Sequence, residues 1–402
     1  MAKVQVTSEQ FQHFWNELQD QFWGDVIEHT TTGLKKFLDA WSERERDEFV
    51  GLRRYERYEV NDHKEGDERP DYRNGYYERD WVTRFGTIRL RISRTRAKAF
   101  LPKGLRRFQR RADEISLLIR EAFLRGISTR QVGRVVALLT DEVVSPQTVS
   151  RVTRELDELV KEFHQARLED DYQYLYLDGV SLRMRGPDRR KRVHMLVCYG
   201  VKTDGSRRLL AFMRSRGESE ADWRGLLEDM YRRGLEGKNL ALIVTDGCAG
   251  LGAAIATVYP RAAHQRCWVH KMRNILQKVK KCDYDEVKRA AQAIYKADGV
   301  KAARQAFKEF RLRWSKQYRP MVKQLEKDLP ELLSFMNFPK VQWRSLRTTN
   351  VIERCFVEVR RRTRPMVCFV NVGSVDRIIY SIFRRFNLEW QTHTLRAFTQ
   401  AA

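Results

Sequence analysis

Two aspartates set among apolar neighbours are the residues best placed to do chemistry. Asp246 closes the run NLALIVTDG at 239–247, and Asp178 lies inside YQYLYLDGVSLRM at 172–184. The unbroken apolar stretch before Asp246, bounded by turn residues, has the pattern of a strand buried on both faces. A carboxylate where such a strand stops is held rigidly yet stays reachable, because ligands of open α/β sheets collect at strand ends. Taken alone, Asp246-Gly247 also reads as a plain turn pair. So does Asp178-Gly179, but Val180, Leu182 and Met184 continue the alternation begun by Tyr174 and Tyr176, which puts Asp178 on a strand face. A charge there is costly unless paired or bound to metal. Two carboxylates placed side by side would repel unless cations held them, which is a setting for divalent metal.

The elements that must position this pair can be read on either side. Strands are expected at 172–184, 193–201 and 209–214, then a helix over 218–235, the strand ending at Asp246, a helix over 251–259 and a short strand at 262–265. Three consecutive strands, a helix and a fourth strand resemble the ribonuclease-H-like α/β fold, in which aspartates on the first strand and after the fourth lie side by side. From Met272 to Phe338 the spacing is helical throughout, as in an all-α insertion. A helix beginning near Asn350 carries Glu353 one turn in, where ordinary capping by Asn350 is one reading. Arg360, Arg361 and Arg364 follow on the same face and extend a basic stripe suited to DNA. A last amphipathic helix spans 375–390.

Upstream, Phe11, Trp15, Leu18 and Phe22, then Leu34, Phe37, Leu38 and Trp41, have helical spacing. They predict a small helical domain whose apolar stripes serve either its own core or a partner subunit. Residues 61–70 read as a polar linker. WVTRFGTIRLRIS at 81–93 alternates apolar residues with arginines about a turn at Gly86, as a β-ribbon with one basic face. Three short helices are expected next: Glu114–Leu124 stopping at Gly126, Val132–Leu139 capped from Ser128, and one opened by Ser145-Pro146 that continues past Leu156 to Phe163. Such tight connections make a helix-turn-helix candidate, a plain helical bundle being the alternative. Gln147, Thr148, Arg151 and Arg154 of its third helix have side chains able to reach base edges.

Composition supports a nucleic-acid partner. Among 402 residues, 77 Lys and Arg against 53 Asp and Glu give a formal charge of +24, an excess most simply offset by a polyanion. No apolar run approaches the ~20 residues of a membrane span, and the N-terminus lacks a signal-peptide core, so an anionic membrane is the weaker partner. Six scattered cysteines suit a reducing cytosol. The boundaries expected are 1–60 (helical), 61–105 (linker and ribbon), 106–168 (helix-turn-helix), 169–270 and 341–402 (the two parts of the α/β domain) and 271–340 (the insertion).

YLYLDGV, LIVTDG, CWVH and TTNVIERCFVEVRRRT together resemble the Mutator-type transposases of bacterial insertion sequences, as do YRNGYYERDWVTRFGTIRLRI and GISTRQVGRVVALL upstream. The likeness runs from about Asp71 to near the C-terminus. It implies a ribonuclease-H-like domain with a catalytic, metal-holding triad of Asp178, Asp246 and Glu353, the last beyond the insertion. Cys267 and His270 match the family's Cys-x-x-His and are expected to support the active site. With His264 they also spell a partial zinc pattern, which lacks a fourth ligand. The resemblance further implies two Mg2+ ions, or Mn2+ in their place, roughly 3.5 to 4 Å apart and bridged by Asp178. It implies cleavage and strand transfer at terminal inverted repeats and in target DNA, and at least a homodimer to pair two ends. The other readings are a non-catalytic, transposase-derived regulator and a metal-dependent nuclease of the same fold.

Overall fold

The computed structural model describes residues 8–52, 55, 71–107, 109–124, 127, 129–140, 143–185, 190–364 and 372–399. The expected linker at 61–70, the Gly126 stop, the Ser128 cap, the turn at 186–188 and Pro365 lie outside them. The chain divides into two compact units, 1–154 and 155–402.

In the first unit, α1 (Ser8–Val50) is one continuous helix, not the small domain expected. Its second half packs on a hairpin of β1 (Arg73–Thr83) and β2 (Gly86–Thr95), antiparallel about the Gly86 turn. Ile88, Leu90 and Ile92 are buried while Arg89 and Arg91 stay exposed, as the alternation requires. Asp39 accepts the Arg91 N–H at 2.8 Å and Ser42 accepts the Ser93 N–H at 3.0 Å. α1 thereby satisfies donors on the free edge of β2, which an uncovered edge strand would offer to other chains. The basic face is partly engaged: Arg89 pairs with Glu78 at 2.7 Å and Arg91 stacks on Tyr76.

Helices α2 (Asp113–Leu124), α3 (Thr129–Thr140) and α4 (Pro146–Arg154) each touch the other two and bury Ile115, Ile119, Val132, Val136 and Val149 between them. The connection from α3 to α4 packs closely on α3, since a Cβ on Gly133 would lie 2.2 Å from the Val144 carbonyl. The expected cap forms, with the Ser145 hydroxyl accepting the Thr148 N–H at 3.2 Å. Gln147, Arg151 and Arg154 are exposed and Thr148 is half-buried, its hydroxyl bonded to Ser145.

The second unit opens with α5 (Leu156–Gln165). One helix was expected from Pro146 to Phe163 within a domain ending at 168, but the helix breaks at Glu155 and α5 belongs to the sheet. Phe163 stacks on Phe212 and meets Tyr380, contacts that place α5 against the sheet. The sheet comprises β3 (Tyr172–Arg185), β4 (Arg190–Lys202), β5 (Arg207–Ser215), then α6 (Glu220–Arg232), β6 (Leu242–Thr245), α7 (Ala249–Val258) and β7 (Ala263–Arg266). Its order is β5-β4-β3-β6-β7, antiparallel from β5 to β3 and parallel from β3 to β7, a mixed sheet in a mixed α/β unit. On one face Leu175, Leu177, Leu196 and Ile243 pack against Trp223, Leu227 and Met230 of α6 and Leu251 and Ile255 of α7.

The chain then becomes helical: α8 (Trp268–Leu276), α9 (Tyr284–Lys296), α10 (Val300–Trp314), α11 (Arg319–Leu332), short α12 (Trp343–Leu346), α13 (Asn350–Thr363), α14 (Val372–Trp390) and α15 (Arg396–Thr399). The segment before α13 returns to the second face of the sheet, where the Tyr174 hydroxyl donates to Gln342 Oε1 at 2.7 Å and that of Tyr176 to the Ser345 carbonyl at 3.3 Å. On that face α14 sets Phe383 against Phe212 and Trp390 against Tyr199.

Candidate active site

Strand register brings Asp178 and Asp246 to one level. β3 and β6 run parallel with Leu177 opposite Thr245, so the backbones of the next residues, Asp178 and Asp246, stand at one level about one strand spacing apart, ~4.8 Å. β6 stops at Thr245 while β3 runs on to Arg185. Asp178, interior to its own strand, therefore stands at the rim of the parallel half. By alternation it shares the face of Tyr174 and Tyr176 rather than that of Leu175 and Leu177. Both carboxylates are fixed by local backbone: Asp178 Oδ1 accepts the Gly179 N–H at 2.8 Å and Asp246 Oδ1 accepts the Cys248 N–H at 3.0 Å. Gly247, at φ +96°, makes the turn that an L side chain would strain.

Glu353 arrives from α13. Capping by Asn350, one of the two readings of this residue, does not occur: Asn350 is already helical and Thr349 is the residue before the helix. Thr349 is held by Cys267, whose sulfur accepts its N–H at 3.4 Å and its hydroxyl at 3.5 Å, while the Trp268 N–H donates to the Arg347 carbonyl at 2.9 Å. The start of α13 is thus tied to the end of β7, and Glu353, one turn on, faces His270 of α8 with Oε1 3.5 Å from Nε2.

The charges of these groups are coupled. Asp178 is 6% exposed; burial, with the Asp246 and Glu353 carboxylates beside it, pushes its pKa up to about 7 against the opposing pull of His270 and the Gly179 N–H. His270 is raised to about 9, first by Cys267 and then by Asp178 and Glu353. Burial alone would raise the Cys267 thiol, but contacts with His270 and Thr349 outweigh it and leave the group below its ordinary value. His270 thus stands as a cation among acids that would otherwise repel one another.

Among the described residues no three His, Cys, Asp or Glu side chains close on a point that holds one ion. The partial zinc pattern does not assemble. His264 turns away, its Nε2 2.8 Å from the Thr245 hydroxyl and its Nδ1 3.6 Å from Glu331. Along α13, Arg361 and Arg364 are exposed and Arg360 is half-buried. The intervening Arg362 is buried and paired with Glu358 at 2.8 Å.

Sequence reasoning passed over Glu218 and His194. A Cβ on Gly179 would lie 2.6 Å from Glu218 Oε1, and the same oxygen is 3.4 Å from His194 Nδ1. By alternation Gly179 shares the face of Leu175 and Leu177, so these two side chains lie on the opposite side of β3 from the Asp178 carboxylate; the signal for them was a glycine inside a strand, which marks close approach.

A rim of carboxylates on a strongly basic chain is the combination of an enzyme that works on DNA. Residues 6–393 match the family described as Transposase, Mutator family. The transposase for insertion sequence element IS905 of Lactococcus lactis is 31% identical over 94% of both chains. That for IS256 in transposon Tn4001 of Staphylococcus aureus is 32% identical over 89% of this chain and 90% of its own. The transposase for IS1081 of Mycobacterium tuberculosis is 31% identical over 89% and 84% respectively. The chain belongs to the Mutator family of transposases, whose general activity is to bind DNA, cut it and transfer strands. Among the described residues no helix is long and apolar enough to cross a membrane.

Proposed function

We propose that this chain cuts the ends of an insertion sequence and joins them to target DNA, with Asp178, Asp246 and Glu353 holding two Mg2+ ions. The observation that carries this reading is the parallel register that sets Asp178 and Asp246 level on adjacent strands, with Glu353 within reach through His270. The strand order, antiparallel then parallel about β3, supports a ribonuclease-H-like fold interrupted by α8–α11. Hard carboxylate oxygens are the donors that Mg2+ prefers, and the mutual repulsion that raises Asp178 is what a dication relieves. Bound there, the ions would activate a water or a 3′-hydroxyl and stabilise the leaving oxygen.

The side chains do the positioning. Asp178 and Asp246 are locked by Gly179 and Cys248 N–H groups, so little reorganisation is needed when metal arrives. His270 orients Glu353 from Nε2, and Glu353 with the two aspartates would hold the ions. Hydrolysis and strand transfer use the same residues because only the nucleophile changes. The three mutually packed helices α2–α4 support a helix-turn-helix reading, with α4 in the major groove of a terminal repeat. Arg151, Arg154 and Gln147 would meet base edges or phosphates, and Arg361 and Arg364 the DNA backbone. Two ends processed together imply a homodimer, and DNA work of this kind implies the bacterial cytoplasm.

Paired terminal-repeat duplexes, a target plasmid and Mg2+ test the reading. Joined products are expected from the wild type, whereas Asp246→Asn should keep repeat binding and make neither cuts nor joints. Cutting without joining would leave a nuclease, and a cutting Asp246→Asn protein would remove that residue from the site.

A further inference from the structure

Beside Asp246 lies a recess of about 260 Å3 lined by residues of α8 and α11. Its floor holds Ile275 and Met321 beside a buried ion pair, with Lys271 Nζ 2.5 Å from Asp328 Oδ2 and Arg266 3.1 Å from Oδ1 of the same carboxylate. Arg266 also pairs with Glu331, so the two cations are matched by two carboxylates. The groups with capacity to spare stand at the mouth: the side-chain amides of Asn274 and Gln277 make no hydrogen bond among the described residues, and Lys278 no ion pair. All three are exposed on the last turns of α8 or just past it. Lys278 lines the recess together with the two amides.

The chemistry of these groups names a ligand. Amide side chains donate and accept in pairs, the arrangement that matches the edge of a nucleobase. An unpaired ammonium beside them suits a phosphate. The space is large enough for one base, and a DNA strand with its scissile phosphate at Asp246 carries its adjoining nucleotide one link away. Within a duplex that base is stacked and its pairing edge hidden; swung out, it presents both edge and phosphate. We propose that the recess between α8 and α11 receives one nucleotide of the strand being cut, its base against Asn274, Gln277 and the apolar floor, its phosphate toward Lys278. The α8–α11 helices then have a task in the reaction: to hold the end open beside the carboxylates. The inference rests on the DNA-cutting reading of the rim.

Duplexes of the terminal repeat carrying 2-aminopurine, one position at a time around the cleaved bond, test it by fluorescence, which rises when the base unstacks. With Asp246→Asn protein, bound but not cutting, one position next to the bond should brighten severalfold. Adding Asn274→Ala with Gln277→Ala should abolish that rise while repeat binding changes less than about twofold. In the otherwise wild-type chain the same pair should slow cutting by on the order of tenfold or more. Lys278→Ala should weaken the rise in a salt-dependent way. No brightening at any position on bound DNA, or a rise indifferent to both substitutions, overturns the proposal while leaving the cutting reading intact. A wild-type protein that binds the repeat but never cuts it overturns both.

Discussion

The two faces of the five-stranded sheet are made by the same strands and do different work. On the face of α6 and α7, odd-numbered residues of β3, Leu175 and Leu177, meet Trp223, Leu227 and Ile255 in a wholly apolar layer. On the other, the even-numbered Tyr174, Tyr176 and Asp178 follow in sequence, and the hydroxyls of the two tyrosines hold the segment leading to α13. One face stores stability and the other lends it to a buried charge. A carboxylate whose pKa is pushed to about 7 is tolerable at the rim because the opposite face is dry and densely packed.

That contrast can be broken from either side. The largest effect expected is on chemistry: Glu353→Gln should lower Mg2+-dependent cutting of repeat duplexes about a thousandfold or more while leaving the melting temperature nearly unchanged, since a metal contributes several kcal/mol to the transition state. Near-normal cutting would place the third ligand elsewhere. On the apolar face, Trp223→Ala should cost about 3 to 5 kcal/mol in urea unfolding of the full chain, and a cost below about 1 kcal/mol would mean that this layer is not the stabilising one.

Asp178→Asn should act in the opposite direction. The Asp178 pKa is raised in the folded state, so ionisation favours the unfolded chain, and stability is lost as pH climbs from about 4 to about 7. The substitution should therefore stabilise the metal-free protein by about 4 kcal/mol at pH 8 and by little at pH 4. Unfolding curves at the two pH values decide it, and equal shifts at both would show that ionisation is not the cause. Mg2+ should offset the same repulsion in the wild type, by about 2.7 kcal/mol at a hundredfold excess over Kd, and should have much less effect on Asp246→Asn. The smallest change is Tyr174→Phe, expected to cost about 1 kcal/mol through the lost bond to Gln342, with a modest fall in cutting because the approach to α13 loosens.

Much of this was legible beforehand, for reasons tied to particular residues. The period-2 run from Tyr174 through Met184 is long enough to put Asp178 inside a strand. The unbroken apolar run before Asp246 marks a short strand between neighbours, and Ser145-Pro146 announces its own helix. Boundaries set by tertiary contact were not visible. The break at Glu155 follows from Phe163 being captured by Phe212 and Tyr380, and the single long α1 follows from its grip on β2. Glu218 gave no pattern of its own; only the glycine beneath it did.

Local order along the chain, then, was determined by sequence alone: which segments alternate, which wind, and which residues carry charge against their surroundings. These depend on neighbours a few positions apart. The pairing of Leu177 with Thr245, the arrival of Glu353 opposite His270, and the turning away of His264 were decided only by the folded sheet and the ties from Cys267 to Thr349. Charges from opposite ends of a long polypeptide meet, or fail to, according to register and packing, and neither is written in any one stretch of residues.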